Sequence, residues 1–220
     1  MGKYLCFSID DGTVFDMETI ALFNRYGISA SFNLNSALAD YVWHLGDNPI
    51  RRLNLEKDYP LYRGHEIASH TLTHPDLAYC SEEDILRQVG EDIENLSRIF
   101  QTEVSGFATP FESSEEREVN IIKRIAEVKY IRLSKIDESF AFPPDPFHFR
   151  VTALDIDRAL ALFEGFKRLK GDGLFLYAGH SYDFTLARDG YAKLEALLQQ
   201  ALACKDINIL PLGEIAKQIF

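Results

Sequence analysis

Two adjacent acidic residues near the start of the chain have the types and spacing to bind a cation and to move a proton. Asp10 and Asp11 precede Gly12, which lets the chain turn so that both carboxylates can approach one point. Two acids at a buried edge repel each other, and a cation bound to one of them leaves the other free to act as a base. Taken alone, such a pair is more often a turn or helix cap with one solvated carboxylate.

Two histidines provide a second set of candidate ligands. His70 and His74 are four residues apart, and a single helical turn ended by Pro75 would place both imidazoles on one side, at a spacing common among zinc ligands. Together with one carboxylate they would leave a coordination position open, as in a catalytic metal site. The H-x-x-x-H pattern alone is equally often one core and one exposed histidine. We interpret His65 as structural because it precedes a predicted strand.

A further histidine is suited to proton donation. His180 lies in the segment 177–183, Y-A-G-H-S-Y-D, directly after Gly179, which lets the backbone approach a neighbouring group closely. Its imidazole could donate a proton near neutral pH, and the alternative is a buried histidine bonded to a loop. His44 and His148 have no comparable context, so we interpret both as structural residues.

The elements that would position these residues alternate between strand and helix. Apolar runs of strand length are bounded by turn residues and separated by patterns of helical period. The predicted strands lie at about residues 4–9, 30–34, 66–69, 104–109, 129–133, 148–152, 174–178 and 207–210. The predicted helices lie at about residues 16–26, 81–100, 115–127, 157–169, 190–203 and 213–219. The segments 36–63 and 142–146 have weak periodicity and are predicted to be loops.

This alternation predicts an α/β fold with a parallel sheet. Seven or eight strands in one domain can close into a barrel with helices outside, and an open doubly wound sheet is the alternative. The unusual polar residues all follow predicted strands at their carboxyl ends. In a barrel those ends meet on one face, where barrel enzymes keep their chemistry, so the sequence predicts a single site there.

Composition narrows the class of protein. The 220 residues are 46% hydrophobic, enough for one core, so a single domain over residues 1–220 is expected. A net charge of -11 argues against nucleic acid as a partner. Three separated cysteines, Cys6, Cys80 and Cys204, predict neither a disulfide framework nor a thiolate zinc site. No export signal or membrane-spanning run is visible, which predicts a cytoplasmic protein without a membrane partner, or a secreted one if a signal has been removed.

Four motifs in order resemble those of the polysaccharide deacetylase superfamily (NodB-homology, carbohydrate esterase family 4). Residues 8–12, S-I-D-D-G, resemble its T-F-D-D-G motif, and residues 64–74, G-H-E-I-A-S-H-T-L-T-H, look like its G-H-E-hydrophobic-x-x-H-[ST]-x-x-H segment. Residues 106–111, G-F-A-T-P-F, are similar to its R-x-P-[FY] motif. Residues 174–180, L-F-L-Y-A-G-H, are similar to its terminal motif of a strand followed by histidine. The resemblance spans residues 4–183.

The resemblance implies a distorted (β/α)7 barrel and a hydrolase that removes N-acetyl groups from an amino sugar or glycan. It implies one divalent metal, zinc or alternatively cobalt or another first-row ion. The implied roles are metal binding by Asp11, His70 and His74, general base for Asp10, general acid for His180, and oxyanion or substrate binding by Pro110, Phe111 and Tyr182.

Two positions depart from the family pattern. Ala108 stands where the family has the arginine that orients the base, so another cation would have to replace it. The acid that orients the histidine has several candidates, either Asp155 or Asp157, which could instead cap a helix, or Asp183.

The missing arginine keeps open a second enzymatic hypothesis, an allantoinase-like hydrolase of a non-sugar C–N bond. A glycan-binding pseudoenzyme is the third, although a binding protein has no need for both a base and an acid.

Overall fold

The computed structural model describes residues 2–111 and 116–220, which form ten strands, eight α-helices and two short 3-10 helices. The strands are β1 (Lys3–Asp10), β2 (Ser31–Leu34), β3 (Val42–Leu45), β4 (Asn48–Arg51), β5 (Glu66–Ser69), β6 (Gly106–Ala108), β7 (Tyr130–Ile136), β8 (Phe149–Val151), β9 (Gly173–His180) and β10 (Ile207–Ile209). The α-helices are α1 (Asp16–Arg25), α2 (Leu55–Asp58), α3 (Glu82–Phe100), α4 (Glu116–Ile122), α5 (Ile156–Arg168), α6 (Ser181–Leu186), α7 (Gly190–Leu202) and α8 (Leu212–Ile219). The 3-10 helices span Tyr59–Tyr62 and Leu77–Tyr79.

Eight strands form one parallel sheet, and seven of them curl into a barrel. Their order is β9, β1, β2, β5, β6, β7 and β8, and a parallel bridge between Ala153 and Tyr177 brings the chain after β8 back to β9. β10 pairs only with the first residues of β1, while β2 pairs with the last. The prediction of a distorted (β/α)7 barrel is confirmed, and the open doubly wound alternative is wrong.

Side-chain alternation along β1 decides what faces the inside of the barrel. The odd-numbered residues from Leu5 to Ile9 pack in the large core beneath the helices. Tyr4 and Cys6 point the other way, into a smaller core that α8 completes. Asp10 has the same parity as Tyr4 and Cys6, so alternation brings its carboxylate to the inner face at the carboxyl end of the strand.

A half-buried glutamate fastens α8 across the amino end of the barrel. Glu66 accepts hydrogen bonds from the Ser31 hydroxyl at 2.6 Å and from the Gly213 N–H, in the first turn of α8, at 3.0 Å. Burial raises the pKa of Glu66 above its ordinary value, although these two hydrogen bonds act to lower it. With this end closed, the opposite end of the barrel is left for a site.

The segment 36–63 is not a loop as predicted. β3 and β4 form an antiparallel hairpin across Gly46 and Asp47, and α2 and a 3-10 helix follow. Most side chains of the hairpin are exposed, so it lacks the apolar alternation by which a strand is recognised. The two-residue Gly-Asp turn, with Gly46 at φ +61°, was the available signal for the hairpin.

Among the described helices, none combines the length and apolarity needed to cross a membrane.

Alanine substitutions at two glycines are expected to change the free energy of unfolding in opposite directions. A Cβ at Gly106 would overlap the buried Tyr130 ring, so Gly106→Ala is expected to lower the free energy of unfolding by about 1–3 kcal/mol through overpacking. Gly90 lies within α3, and a Cβ there meets no described atom within 4 Å, so Gly90→Ala should raise it by about 0.5–1 kcal/mol. Urea unfolding measures both, and a neutral Gly106→Ala would contradict the packing described here.

Candidate active site

The predicted polar residues converge on one cavity at the carboxyl ends of the barrel strands. The cavity has a volume of about 1100 Å³, and Asp10, Asp11, His70, His74 and His180 all line it. Strand register brings some of these residues together, because Asp10 is paired with Asn33 of β2 on one side and with His180 of β9 on the other. The structure therefore brings together all five residues for which catalysis or metal binding was predicted.

Asp11, His70 and His74 form a set of donors that fits a divalent metal. One ligand atom from each lies within 4.8 Å of the others. Oδ1 of Asp11 is 3.9 Å from Nε2 of His70 and 3.5 Å from Nε2 of His74. Two imidazoles and a carboxylate on one side of an open cavity match a catalytic zinc-like site.

The protonation of both imidazoles also suits a ligand role. Nδ1 of His70 is 2.9 Å from the carbonyl oxygen of Ala108, which can only accept, so Nδ1 carries the proton and Nε2 presents its lone pair to Asp11. Burial lowers the pKa of His70 well below its ordinary value and also lowers that of His74. Both shifts favour the neutral imidazole, which is the form that metal ligation requires.

The predicted helical turn between the two histidines is wrong. A helix would join the His74 N–H to the His70 carbonyl, but that N–H donates to the Thr71 hydroxyl at 3.0 Å. The His70 carbonyl instead accepts from the Asn35 side-chain amide at 2.5 Å. Thr71 and His74 have φ values of +72° and +57°, so an irregular turn, and not helical spacing, brings the imidazoles together.

Asp11 is paired with a buried arginine that sequence reasoning missed. Nη2 of Arg52 donates to Oδ1 of Asp11 at 3.0 Å, and Arg52 comes from the end of the β3–β4 hairpin. Burial acts to raise the pKa of Asp11, but the charges of His180 and Arg52 outweigh it and hold that pKa below its ordinary value.

Asp10 is held by one of its two carboxylate oxygens. Oδ1 accepts hydrogen bonds from the side-chain amide of Asn33 at 2.6 Å and from the guanidinium of Arg132. Oδ2 is directed towards the metal-ligand set, 4.0 Å from Nε2 of His70. The carboxylate thus keeps one oxygen available to take a proton.

His180 lies beside Asp11 and is oriented by Asp183. Its Nδ1 is 3.0 Å from Oδ2 of Asp183, which also accepts the His180 backbone N–H at 2.9 Å. Its Nε2 is 3.7 Å from Oδ2 of Asp11, and its ring stacks on Tyr182 at a centroid distance of 4.6 Å. Burial acts to lower the pKa of His180, but the bond to Asp183 and the charge of Asp11 raise it to about 9.

Comparison with known proteins identifies the family of this chain. The sequence model of the polysaccharide deacetylase family matches residues 2–128, more than half of the chain. This chain belongs to the polysaccharide deacetylase family. A chitooligosaccharide deacetylase of Sinorhizobium fredii is 36% identical over 90 residues, which cover 40% of this chain and 36% of the relative. The match thus spans about a third of that curated relative.

Solved structures show the same fold at low sequence identity. A family 4 acetyl xylan esterase of Clostridium thermocellum, in complex with a cobalt ion, superposes with a TM-score of 0.65 at 15% identity, covering 98% of this chain and 91% of the esterase. The catalytic domain of a peptidoglycan N-acetylglucosamine deacetylase of Eubacterium rectale superposes with a TM-score of 0.62 at 14% identity, covering 96% and 89%. These likenesses support the family's barrel.

Arg132 supplies the cation that this chain lacks at Ala108, the position of the family's arginine. Ala108 and Arg132 are register partners on the neighbouring strands β6 and β7. The arginine that pairs with Asp10 therefore lies on the strand next to the one that carries the family motif. Ile131 and Leu133 face the large core, which turns Arg132 inward, and its side chain is 1% exposed. An arginine within a buried parallel strand was the sequence signal, because such a charge must find a partner.

Two other predicted site residues lie elsewhere. Asp155 accepts the Arg158 N–H at 2.8 Å as the N-cap of α5, while Asp183 makes the bond to His180, so Asp155 is not the orienting acid. Pro110 is buried and does not line the cavity, whereas its neighbours Thr109 and Phe111 do.

Phe111 and Tyr182 do line the cavity. The Phe111 side chain is exposed, and its ring lies 4.7 Å from that of His74. The Tyr182 hydroxyl donates to Oδ2 of Asp11 at 3.2 Å. The role of Phe111 in oxyanion binding and that of Tyr182 in substrate binding stay predictions.

Proposed function

We propose that this member of the polysaccharide deacetylase family is a metal-dependent hydrolase that removes N-acetyl groups from an amino sugar or glycan. The observation that carries the proposal is the convergence in one cavity of three kinds of group: a carboxylate and two imidazoles that can bind a metal, a second carboxylate that can act as a base, and a third imidazole that can donate a proton. Amide hydrolysis needs each of these parts, because water must lose a proton and the departing amine must gain one.

The three metal ligands and the base have separate roles in the reaction. Asp11, His70 and His74 would hold the metal, which when bound supplies Lewis acidity towards a carbonyl oxygen and lowers the pKa of water. Oδ2 of Asp10 takes a proton from the attacking water, whose oxygen forms the new bond to the acetyl carbon. Arg132 and Asn33 occupy Oδ1 and so fix the carboxylate for this transfer.

His180 completes the reaction as the proton donor. The carbon–nitrogen bond breaks as Nε2 of His180 gives its proton to the departing amine, and the products are acetate and the free amino group. Asp183 binds Nδ1 and stabilises the imidazolium, which leaves Nε2 directed into the cavity. The two proton transfers are therefore assigned to different side chains, proton uptake to Asp10 and proton donation to His180.

The shape and lining of the cavity support a sugar substrate. Tyr41 and Trp43 line it with nearly parallel rings whose centroids are 6.4 Å apart, and such rings pack against the C–H face of a pyranose. The similarity to a chitooligosaccharide deacetylase supports short N-acetylglucosamine oligomers as the first substrates to test.

Acetate release from N-acetylglucosamine oligomers tests the proposal. We expect the protein with zinc or cobalt to release acetate and expose amines, and removal of the metal with a chelator to abolish both until metal is restored. Cyclic ureides and amides serve as comparison substrates. Turnover of a cyclic amide alone would favour a non-sugar C–N hydrolase, and a metal-loaded protein inert towards the whole panel would favour glycan binding without catalysis.

A further inference from the structure

We propose that Arg52 is a positioning residue of the metal centre, holding both ligand-bearing segments in place. This inference rests on the proposed function only in taking Asp11, His70 and His74 as the ligands. Arg52 directly follows β4, in the segment between β2 and β5, and its side chain is 5% exposed.

The first contact fixes the carboxylate ligand. Nη2 of Arg52 donates to Oδ1 of Asp11, the oxygen that approaches Nε2 of His70 and of His74 within 4 Å. Nη1 of Arg52 donates to the backbone carbonyl of Asp11. A planar guanidinium that binds both the side chain and the main chain of one residue restricts its rotation, which a point charge cannot do.

The second contact reaches the imidazole ligands through one intermediate residue. Nη1 of Arg52 also donates to Oδ1 of Asn35, whose amide nitrogen donates to the carbonyls of His70 at 2.5 Å and Thr71 at 2.7 Å. These carbonyls belong to the irregular turn that carries His70 and His74. The network thus joins the segment after β1 to the segment after β5, and Arg52 is the group they share.

Backbone contacts and an aromatic ring also hold Arg52 in place. Residues Thr13 and Arg52 form an antiparallel bridge, and the Leu53 N–H donates to the Gly12 carbonyl at 2.8 Å. The Trp43 ring lies over the guanidinium at 5.0 Å. A rigidly held cation beside a metal ligand orders that ligand before the metal arrives, and loss of such outer partners typically weakens metal binding about 10–100-fold.

Zinc affinity measured by chelator competition tests the inference without any substrate. We expect Arg52→Gln to bind zinc about 10–100-fold more weakly than the wild type and to change the visible absorption spectrum of bound cobalt. Arg52→Lys keeps the positive charge but loses the planar guanidinium with its several donors, so the zinc affinity of this variant should also fall, to a smaller extent. If Arg52→Gln does not fold, Arg52→Lys decides.

Two arginines serve as matched controls. Arg132→Gln removes the other buried guanidinium, which contacts the base and not the ligand set, so kcat should fall while zinc affinity stays close to wild type. Arg51, the sequence neighbour of Arg52, is exposed and contacts Asp40 at the surface. Arg51→Gln should therefore change neither kcat nor zinc affinity.

The outcomes separate this inference from the proposed function. Unchanged or tighter zinc binding in both Arg52 variants would overturn the positioning role, because the guanidinium would then be dispensable or would oppose the metal by its charge. A wild-type protein that binds no zinc or cobalt would overturn the metal site itself, and this inference with it.

Discussion

Asp10→Asn is expected to lower kcat for deacetylation by about 10²–10⁴-fold while zinc stays bound. An amide has no basic oxygen with which to take a proton from water, yet it has nearly the shape of the carboxylate. Its carbonyl can still accept from Arg132 and Asn33, which places the NH₂ group where Oδ2 of Asp10 faces the ligand set. Steady-state kinetics and metal analysis on the same preparation measure the two quantities.

The variant also needs a control for stability, because it removes the charged partner of a buried arginine. Breaking a buried ion pair from one side can cost about 3–5 kcal/mol, so thermal unfolding should be followed, with activity measured well below the midpoint. The double variant Asp10→Asn with Arg132→Gln restores charge balance without restoring the base. Recovery of activity in the double variant, or wild-type activity in Asp10→Asn, would contradict the assignment of the base.

His74→Ala is expected to reduce zinc affinity by more than about 100-fold and to abolish activity at limiting metal. Loss of a ligand should weaken binding at least as much as loss of an outer partner does, for which the upper range is about 100-fold. His74 is the better ligand to replace, because its side chain is 21% exposed while that of His70 is 2% exposed and packed under the site. Chelator competition and acetate release measure the effects.

His44→Ala is the matched control for this experiment. His44 lies on β3 with an exposed side chain and does not line the cavity, so its loss should leave zinc affinity and kcat unchanged. If His44→Ala weakened zinc binding as much as His74→Ala, or if His74→Ala kept full affinity, the ligand set would have to be reassigned.

Local pattern was sufficient to predict most of the barrel. All eight predicted strands have an observed counterpart, because buried parallel strands are short apolar runs bounded by turns. The hairpin after β2 was missed since its side chains are mostly exposed, and a strand without a buried face carries no alternation to detect. That omission also hid Arg52, which looks like an ordinary loop cation in the sequence.

The sequence by itself determined which residues are chemically unusual and that they follow strands. Asp10, Asp11 and His180 were placed by strand ends alone, since parallel strands in a barrel deliver their carboxyl ends to one face. The tertiary structure decided how these residues are partnered. Asp183 rather than Asp155 orients His180, and Arg132 rather than a residue at position 108 pairs with Asp10. Such pairings depend on the register between strands and on irregular turns, where atoms distant along the chain meet, and spacing along one segment contains no information about either.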